Sequence, residues 1–341
     1  MGPPARNGKT MKTSLTQDNP GRSLPAGSAE VMPQEALSRH DAFMTHKAPS
    51  VESDWMQVDI YKAHIEEIRP AILTRMHQLT MSVFWPHRPP DIALCIGLGK
   101  GYVALDEIGR PLSSAMGFPS DEDFAMLGMM VTTPRLQAQG TGGRLLRRVI
   151  NDLKGRDLRL SATREGYRLY ETAGFVPVGL VYQHQGVARA IRPPEPVTGL
   201  TVRPMQPSDL PAIGALDQHA YGAARTAILD ALMGVSEVIV AERGGEIEGF
   251  AMMRAFGKGR VIGPLVAEQD DVAMQLAAHF ILASEGAFLR LDTIVESERF
   301  EAFPSAAGLG VYDTVTDMRF GRLRRAQSGP MTYGLAMQSL G

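Results

Sequence analysis

Apolar residues recur with clear periods from about residue 55 onward and almost not at all before it. Residues 1 to about 50 are rich in Pro, Gly, Ser, Thr, Asn and Gln, cannot repay the entropy of ordering, and are expected to form a disordered extension over 1–52. Val58, Ile60, Ile65, Ile68, Ile72, Leu73 and Met76 then predict a short strand and an amphipathic helix. His77 to Asp91 carries three prolines beside Phe84 and Trp85 and reads as a loop, with Ile96 to Leu98 as a helix end or turn. Lys100 to Leu105, Leu112 to Phe118 and Phe124 to Val131 predict a meander of three strands.

The stretch after the third strand is the most informative in the chain. The apolar run stops at Pro134 and passes through Gln137-Ala138-Gln139-Gly140-Thr141-Gly142-Gly143-Arg144. Leu145, Leu146, Val149, Ile150 and Leu153 then repeat at helical spacing. The glycines therefore sit at a helix N-terminus, where backbone N–H groups without intrahelical partners and the positive end of the helix dipole favour phosphate. A flexible turn would use the same glycines. The spacing is not that of a dinucleotide fold, and no Gly-Lys-Ser/Thr ending marks a nucleotide-triphosphate loop. It resembles the (Gln/Arg)-x-x-Gly-x-(Gly/Ala) acyl-CoA signature of the GNAT acetyltransferases.

Leu158 to Thr163 alternates like a strand and leads into a short helix capped at Gly174, followed by a strand from Val176 to His184. Leu169-Tyr170-Glu171-x-x-Gly174-Phe175 resembles a second motif of that family, in the family's order. After the proline-rich Arg192 to Pro196 the pattern repeats more loosely. Leu200 to Pro204 opens it, Val238 to Glu242 and Ile247 to Ala255 form a meander, and Ile262 to Val266 parallels Leu127 to Val131. Val131 to Gly174 spans 43 residues and Val266 to Gly308 spans 42, which suggests duplication. In the second copy Ala267-Glu268-Gln269-Asp270-Asp271 puts carboxylates where pyrophosphate would lie, and like charge would repel it. The expected fold class is α/β with an α+β mixed sheet, as two tandem GNAT acyl-CoA N-acyltransferase folds. Residues 53–191 form the catalytic copy, 192–198 a linker and 199–341 a degenerate copy.

Composition narrows the classes of partner. The 35 basic and 37 acidic residues nearly cancel, so nothing points to nucleic acid or an acidic membrane. The single cysteine, Cys95, excludes an intramolecular disulfide and a multi-cysteine metal site, and no metal is expected. The 19 methionines read as pliable core filling. Without a long apolar stretch or a signal-peptide core, the default is a soluble cytoplasmic protein, with a homodimer left open.

The resemblance implies acetyl-CoA as co-substrate and a small primary amine as acceptor, joined directly in a ternary complex. A non-catalytic acyl-CoA sensor and a protein-lysine acetyltransferase are the alternatives. It implies that Gly128, Met129, Met130 and Val131 hold the pantetheine arm and polarise the thioester. The N–H groups of Gln137, Ala138, Gln139, Gly140, Thr141, Gly142, Gly143 and Arg144 would hold the pyrophosphate, with Arg135 or Arg144 adding charge. Tyr170 matches the tyrosine that often protonates the leaving thiolate, with Tyr167 as fallback. For the base the candidates are Asp123, with Asp121 and Glu122 beside it, and His87, with His77. A run of three acids is also what a solvated turn looks like, and a histidine can simply bond to backbone. Trp85 is a packing anchor or a pocket wall. Asp217, Tyr221 and Arg225 share a helix face as a structural network or an acceptor-contacting set, and Asp292 is of the same kind.

Overall fold

The computed structural model of the chain describes residues 31–45, 54–58, 61–137 and 139–341. The elements of the first half are helix α1 (Gln34–Thr45), strands β1 (Trp55–Val58) and β2 (Tyr61–Glu67), helices α2 (Leu73–Ser82) and α3 (Pro89–Leu98), and strands β3 (Lys100–Leu105), β4 (Pro111–Ser120) and β5 (Phe124–Thr132). They continue with α4 (Thr141–Asp152), β6 (Asp157–Ala162), α5 (Tyr167–Thr172) and β7 (Val176–Val187). The second half runs β8 (Leu200–Pro204), α6 (Leu210–Tyr221), α7 (Thr226–Met233), β9 (Glu237–Arg243), β10 (Glu246–Phe256), β11 (Gly259–Ala267) and α8 (Asp270–Leu282). It closes with β12 (Phe288–Thr293), α9 (Glu298–Ala306), β13 (Gly310–Phe320) and β14 (Met331–Gly334). The second series repeats the first from β2, as the spacing of the motifs suggests.

Two helices depart from the sequence expectation. The extension expected to be disordered over 1–52 contains α1, which docks on the first copy: Ala36 and Phe43 are buried and His40 stacks on Phe320 at 4.0 Å. Arg39 Nε donates to Glu171 O at 3.0 Å, and His40 Nδ1 lies 2.9 Å from Ala173 O. A helix this short is marginal alone, so tertiary docking decides its formation. The rest of that extension lies outside the described residues. The loop expected to Asp91 gives way to α3 at Pro89, because prolines fit the first helical turn. Arg88 N donates to Asp91 Oδ2 at 2.8 Å, satisfying an N-terminal donor.

The strands form a single mixed sheet in the order β1-β2-β3-β4-β5-β6-β13-β7-β12-β11-β10-β9-β8, with β14 paired to β11. The two copies exchange strands at its centre. β13, from the second copy, lies between β6 and β7 of the first, and β7 lies between β12 and β13. Segments 53–191 and 199–341 are thus consecutive in sequence but interlocked in space. Each copy keeps a core under its own long helix. Leu145, Leu146, Val149 and Ile150 of α4 pack with Leu127, Leu160 and Phe175, and Leu276 and Phe280 of α8 pack with Leu265 and Leu291. On the opposite face one core is common to both: Met76, Ile92, Phe124 and Met126 join Ile213, Tyr221, Phe250 and Leu340.

The loop from Phe84 to Arg88 rests on the other copy. Gly257 N donates to Asp91 Oδ2 at 3.1 Å, and His87 stands edge-on to Phe256 at 5.4 Å and tilted to Trp85 at 5.6 Å. His87 Nδ1 is buried with no hydrogen-bond partner among the described residues. Burial first, and the Arg290 charge second, push its imidazole down to about 4; Arg254 and His77 act the same way and Asp91 opposes them.

This architecture makes two outcomes testable. Residues 53–191 expressed alone leave β6 and β7 without the strand between them, so the fragment should aggregate or lack a cooperative melt by circular dichroism. Co-expression with 199–341 should restore it, and a soluble, cooperatively melting fragment would refute the requirement for exchange. The second concerns acid. Between an ordinary pKa of 6.5 and about 4, the His87 imidazole is neutral when folded and charged when unfolded. The unfolded chain therefore binds more protons, and stability present above pH 6.5 is lost as the pH falls toward 4, by up to about 3 kcal/mol. Melting midpoints of wild type and His87→Asn should diverge across that window, whereas parallel curves would clear His87.

Candidate functional site

In the first copy, β5 and β6 pair in parallel only at Phe124↔Asp157, Ala125↔Leu158 and Met126↔Arg159, and beyond Met126 they diverge. The opening is shaped by a bulge. The β4 register shifts between Ser114 and Met116, and Met129 on β5 adopts φ 49°, a left-handed conformation costly for a side chain of this kind. Ser114 Oγ donates to Met129 O at 2.7 Å, and Met129 N donates to Ser339 Oγ through a long bond of 3.4 Å. Side chains then diverge around the bulge: Met129 joins the common core, while Met130 packs on the α4 side.

The glycine-rich segment lies where β5 ends. Pro134 to Leu136 form a single 3-10 turn, Gly140 turns the chain with φ 83°, and α4 begins at Thr141 with no side chain capping its N-terminus. The first turn of α4 faces the opening. A Cβ on Gly142 would lie 3.3 Å from Thr132 Oγ1, 3.6 Å from Leu169 Cδ2 and 3.9 Å from Met130 Cε. Gly143 faces Leu169 and Phe43. Thr141 Oγ1 is buried at this helix start without a hydrogen-bond partner among the described residues, which suits an anion that brings its own acceptor oxygens. Arg144 is buried one turn along, and burial followed by the Arg148 charge lowers its pKa. Gln137 and Gln139 are exposed, their amides bonded to Thr132 O and Arg135 O at 3.3 Å. Ala138 lies outside the described residues. Of the residues expected to hold acyl-CoA, the structure therefore gathers Met130, Gly140, Thr141, Gly142, Gly143 and Arg144 around one opening, with Met129 and Val131 buried in the strand beside it.

The corresponding opening in the second copy is filled. β11 and β12 pair only at Arg260↔Leu289 and Val261↔Arg290, and β14 occupies the gap, pairing Leu265↔Gly334, Val266↔Thr332 and Ala267↔Met331. Leu335 N donates to Asp292 O at 2.8 Å, sealing the other side. At the start of α8 the Asp270 carboxylate accepts from Tyr333 Oη at 2.7 Å and from Ser297 Oγ, and Asp271 pairs with Arg299. A recess of about 320 Å³ remains, lined by Glu268, Asp270, Asp271, Arg299 and Tyr333 among others.

The catalytic candidates separate. Tyr170 stays near the opening, on the short helix whose Leu169 faces Gly142 and Gly143. Its ring is buried edge-on to Phe175, and desolvation raises its pKa, so the phenol is protonated at neutral pH. Asp123 lies at the closed end of the strand pair, six residues before Met129 and so roughly 20 Å away along β5. It is bound to Arg324 at 2.6 Å and Arg322 at 2.5 Å, and these hold its pKa below the usual range. Asp123 is thus an ion-pair anchor, not a base poised at the opening. His87 lies against Phe256 at the β10–β11 turn of the second copy, and its lowered pKa makes it a weak base. The assignment of Asp123 as base is corrected on these grounds.

Other residues, without a local sequence signal, are brought in from far along the chain. Ser339 reaches Met129 across 210 positions of sequence. Arg159, in an alternating strand whose polar positions suggest solvent, is buried against the rings of Phe124 and Tyr221, each 4.7 Å from its guanidinium. Arg225 also lies over the Tyr221 ring at 4.0 Å and is bonded to Asp217 through two contacts of 2.8 Å. The Asp217, Tyr221 and Arg225 set is thus a buried structural network of the second copy, packed on Phe124 of the first. Asp292 pairs with Arg290.

Known proteins share this architecture. Residues 213–334 match the family model described as an acetyltransferase (GNAT) domain, so the family pattern is found in the copy with the filled opening. The chain is 24% identical over 263 residues, 75% of its length and 91% of the relative's, to the uncharacterized N-acetyltransferase YitH of Bacillus subtilis. A putative acetyltransferase from Pyrococcus horikoshii superposes with a TM-score of 0.69 at 20% identity, covering 87% of this chain and all of that one. A tandem GNAT protein from the clavulanic acid biosynthesis pathway superposes with a TM-score of 0.54 at 12% identity, covering 76% of this chain and 98% of that one. Residues 213–334 thus match a GNAT acetyltransferase domain, and the likenesses to solved structures carry the same fold across both halves, present twice in tandem.

Proposed function

We propose that the chain transfers an acetyl group from acetyl-CoA to the primary amine of a small molecule, by direct attack in a ternary complex at one site in the N-terminal copy. The observation that carries this reading is the contrast between the openings. One is bordered by an uncapped, glycine-lined helix start with a buried, unpartnered Thr141 hydroxyl; the other is filled by Met331–Gly334 and fronted by carboxylates.

In this mechanism the N–H groups at the start of α4 and the Thr141 hydroxyl hold the pyrophosphate, and the arm runs along β5 past Met130. The Met129 N–H polarises the thioester carbonyl. Its bond to Ser339 is long, so a carbonyl oxygen can replace the hydroxyl at little cost, and one such donor is worth roughly 3 kcal/mol in the transition state. Tyr170 then hydrogen-bonds the departing thiolate. Its raised pKa makes it a weak acid that stabilises the thiolate while giving up its proton late. An alkyl amine has a pKa near ~10, so at neutral pH a minor neutral fraction reacts and rate should climb with pH.

Calorimetry on the full chain should give one acetyl-CoA per chain, and Gly142→Asp should abolish binding by placing bulk and charge at the pyrophosphate. Retained binding, or two sites per chain, would sink the assignment. Tyr170→Phe should cut turnover by about tenfold or more while leaving affinity intact; an unchanged rate takes Tyr170 out of the mechanism. Thiol release across an amine panel separates enzyme from sensor: binding without release on any amine refutes catalysis.

A further inference from the structure

Beside the gap between β5 and β6 the protein buries more positive charge than its described carboxylates neutralise. Arg159 and Ser161 occupy alternate positions on β6, and Asp317 of β13 stands directly opposite Ser161. Arg325 reaches the same place from the segment after β13, with Nε bonded to Asp317 Oδ2 at 3.1 Å. Arg159, Asp317 and Arg325 are 4%, 3% and 8% exposed. Among the described residues their remaining atoms have no hydrogen-bond partner: Nε and Nη1 of Arg159, Nη1 and Nη2 of Arg325, Oδ1 of Asp317 and Oγ of Ser161. Arg159 spends only Nη2, on Tyr221 O at 2.9 Å.

The charges around Arg159 are Arg325, Asp317 and Arg225, and Arg225 is already matched by Asp217. Three guanidinium groups thus face two carboxylates, and the uncompensated positive charge sits where water is scarce. A buried cation in that state calls for an anion. The Arg159 guanidinium rests against the rings of Phe124 and Tyr221, 4.7 Å from each centroid, with Nε and Nη1 as single donors. On Arg325 the unpartnered Nη1 and Nη2 form one planar edge with two donors, the complement of a carboxylate.

The position relates this pair to the chemistry. Arg159 is opposite Met126 at the last paired rung, and Met129 is three residues further along β5, roughly 10 Å. Ser161, with Asp317 opposite it, lies two residues beyond that rung on β6, where β5 and β6 have parted, so Arg325 on Asp317 stands beside the gap.

We propose that Arg159 and Arg325 bind a carboxylate of the acceptor, so that the substrates are amino acids or amines built like them. Ser161 Oγ adds a donor to the same group, and the free Oδ1 of Asp317 remains for a donor on the substrate. This inference rests on the reading of the first copy as the acetyl-transfer site.

The test uses the full chain saturated with CoA, titrated calorimetrically with the twenty standard amino acids and their carboxamides. At least one amino acid should bind ten or more times tighter than its own carboxamide. Arg159→Gln and Arg325→Gln should each weaken that amino acid tenfold or more and leave the carboxamide unmoved, and Arg159→Lys, which keeps the charge with fewer donors, should fall between. Equal affinity for the two forms, or no binding by any amino acid, overturns the proposal and leaves the cluster as a structural one bridged by water. Should Arg159→Gln not fold, the carboxylate-to-carboxamide ratio in wild type and Arg159→Lys still decides. A purely structural Arg159 would lower the melting temperature without moving that ratio. Acetyl-CoA binding measured first on the same sample keeps the readings apart: transfer confined to amines without a carboxylate retains the acetyl-transfer site and overturns only the acceptor class, whereas loss of acetyl-CoA binding takes down both.

Discussion

The antiparallel pairing of β7 with β13 is the contact on which everything else depends. Each strand comes from one copy and completes the sheet of both, because β13 also pairs with β6 and β7 also pairs with β12. Strand edges left open would expose unpaired backbone donors and acceptors. The exchange closes them from within one chain, and it fixes the angle at which the two copies meet. That angle lets α2 and α3 of one copy share a core with α6 and α7 of the other, and it sets Tyr221 on Phe124 of the first copy.

A second consequence is the path of the last residues. After Met331–Gly334 fills the gap in the second copy, Leu335 crosses the centre of the sheet on Val181 and Val315, and Ser339 arrives at Met129 of the first copy. Arg225 Nη1 holds the carbonyl oxygens of Leu340 and Gly341, each at 2.8 Å. The segment that closes one opening therefore forms a wall of the other. The two openings are alike in strand geometry and opposite in electrostatics: N–H groups and glycines at the start of α4, the Asp270 carboxylate at the start of α8. The positive end of the helix dipole meets no carboxylate at the start of α4 and is met internally by Asp270 at the start of α8.

Legibility tracked the range of the interactions. The α4 helix, with five apolar residues on one stripe, and the glycines that precede it are local features, so period and spacing place them well. The same holds for the short α5 helix and its Gly174, which turns with φ 91° against α1. Helix α1 has no such stripe and exists through Phe43, His40 and Arg39 docking on distant residues. Asp123 illustrates the opposite error: its neighbourhood in sequence suggests a base, but Arg322 and Arg324, some two hundred positions away, claim its charge.

The sequence by itself determined that the chain carries one fold twice, that the first copy has a helix start fit for phosphate, and that the second has carboxylates there. These depend on residues within a few turns or rungs of each other, where backbone geometry leaves little freedom. Tertiary structure alone decided that the copies exchange strands, that the second opening is filled by the chain itself, and that Arg159 lies buried against two rings instead of in solvent. A polar residue on an alternating strand reads the same whether water or a second copy lies against it, because period reports the face and not what covers it.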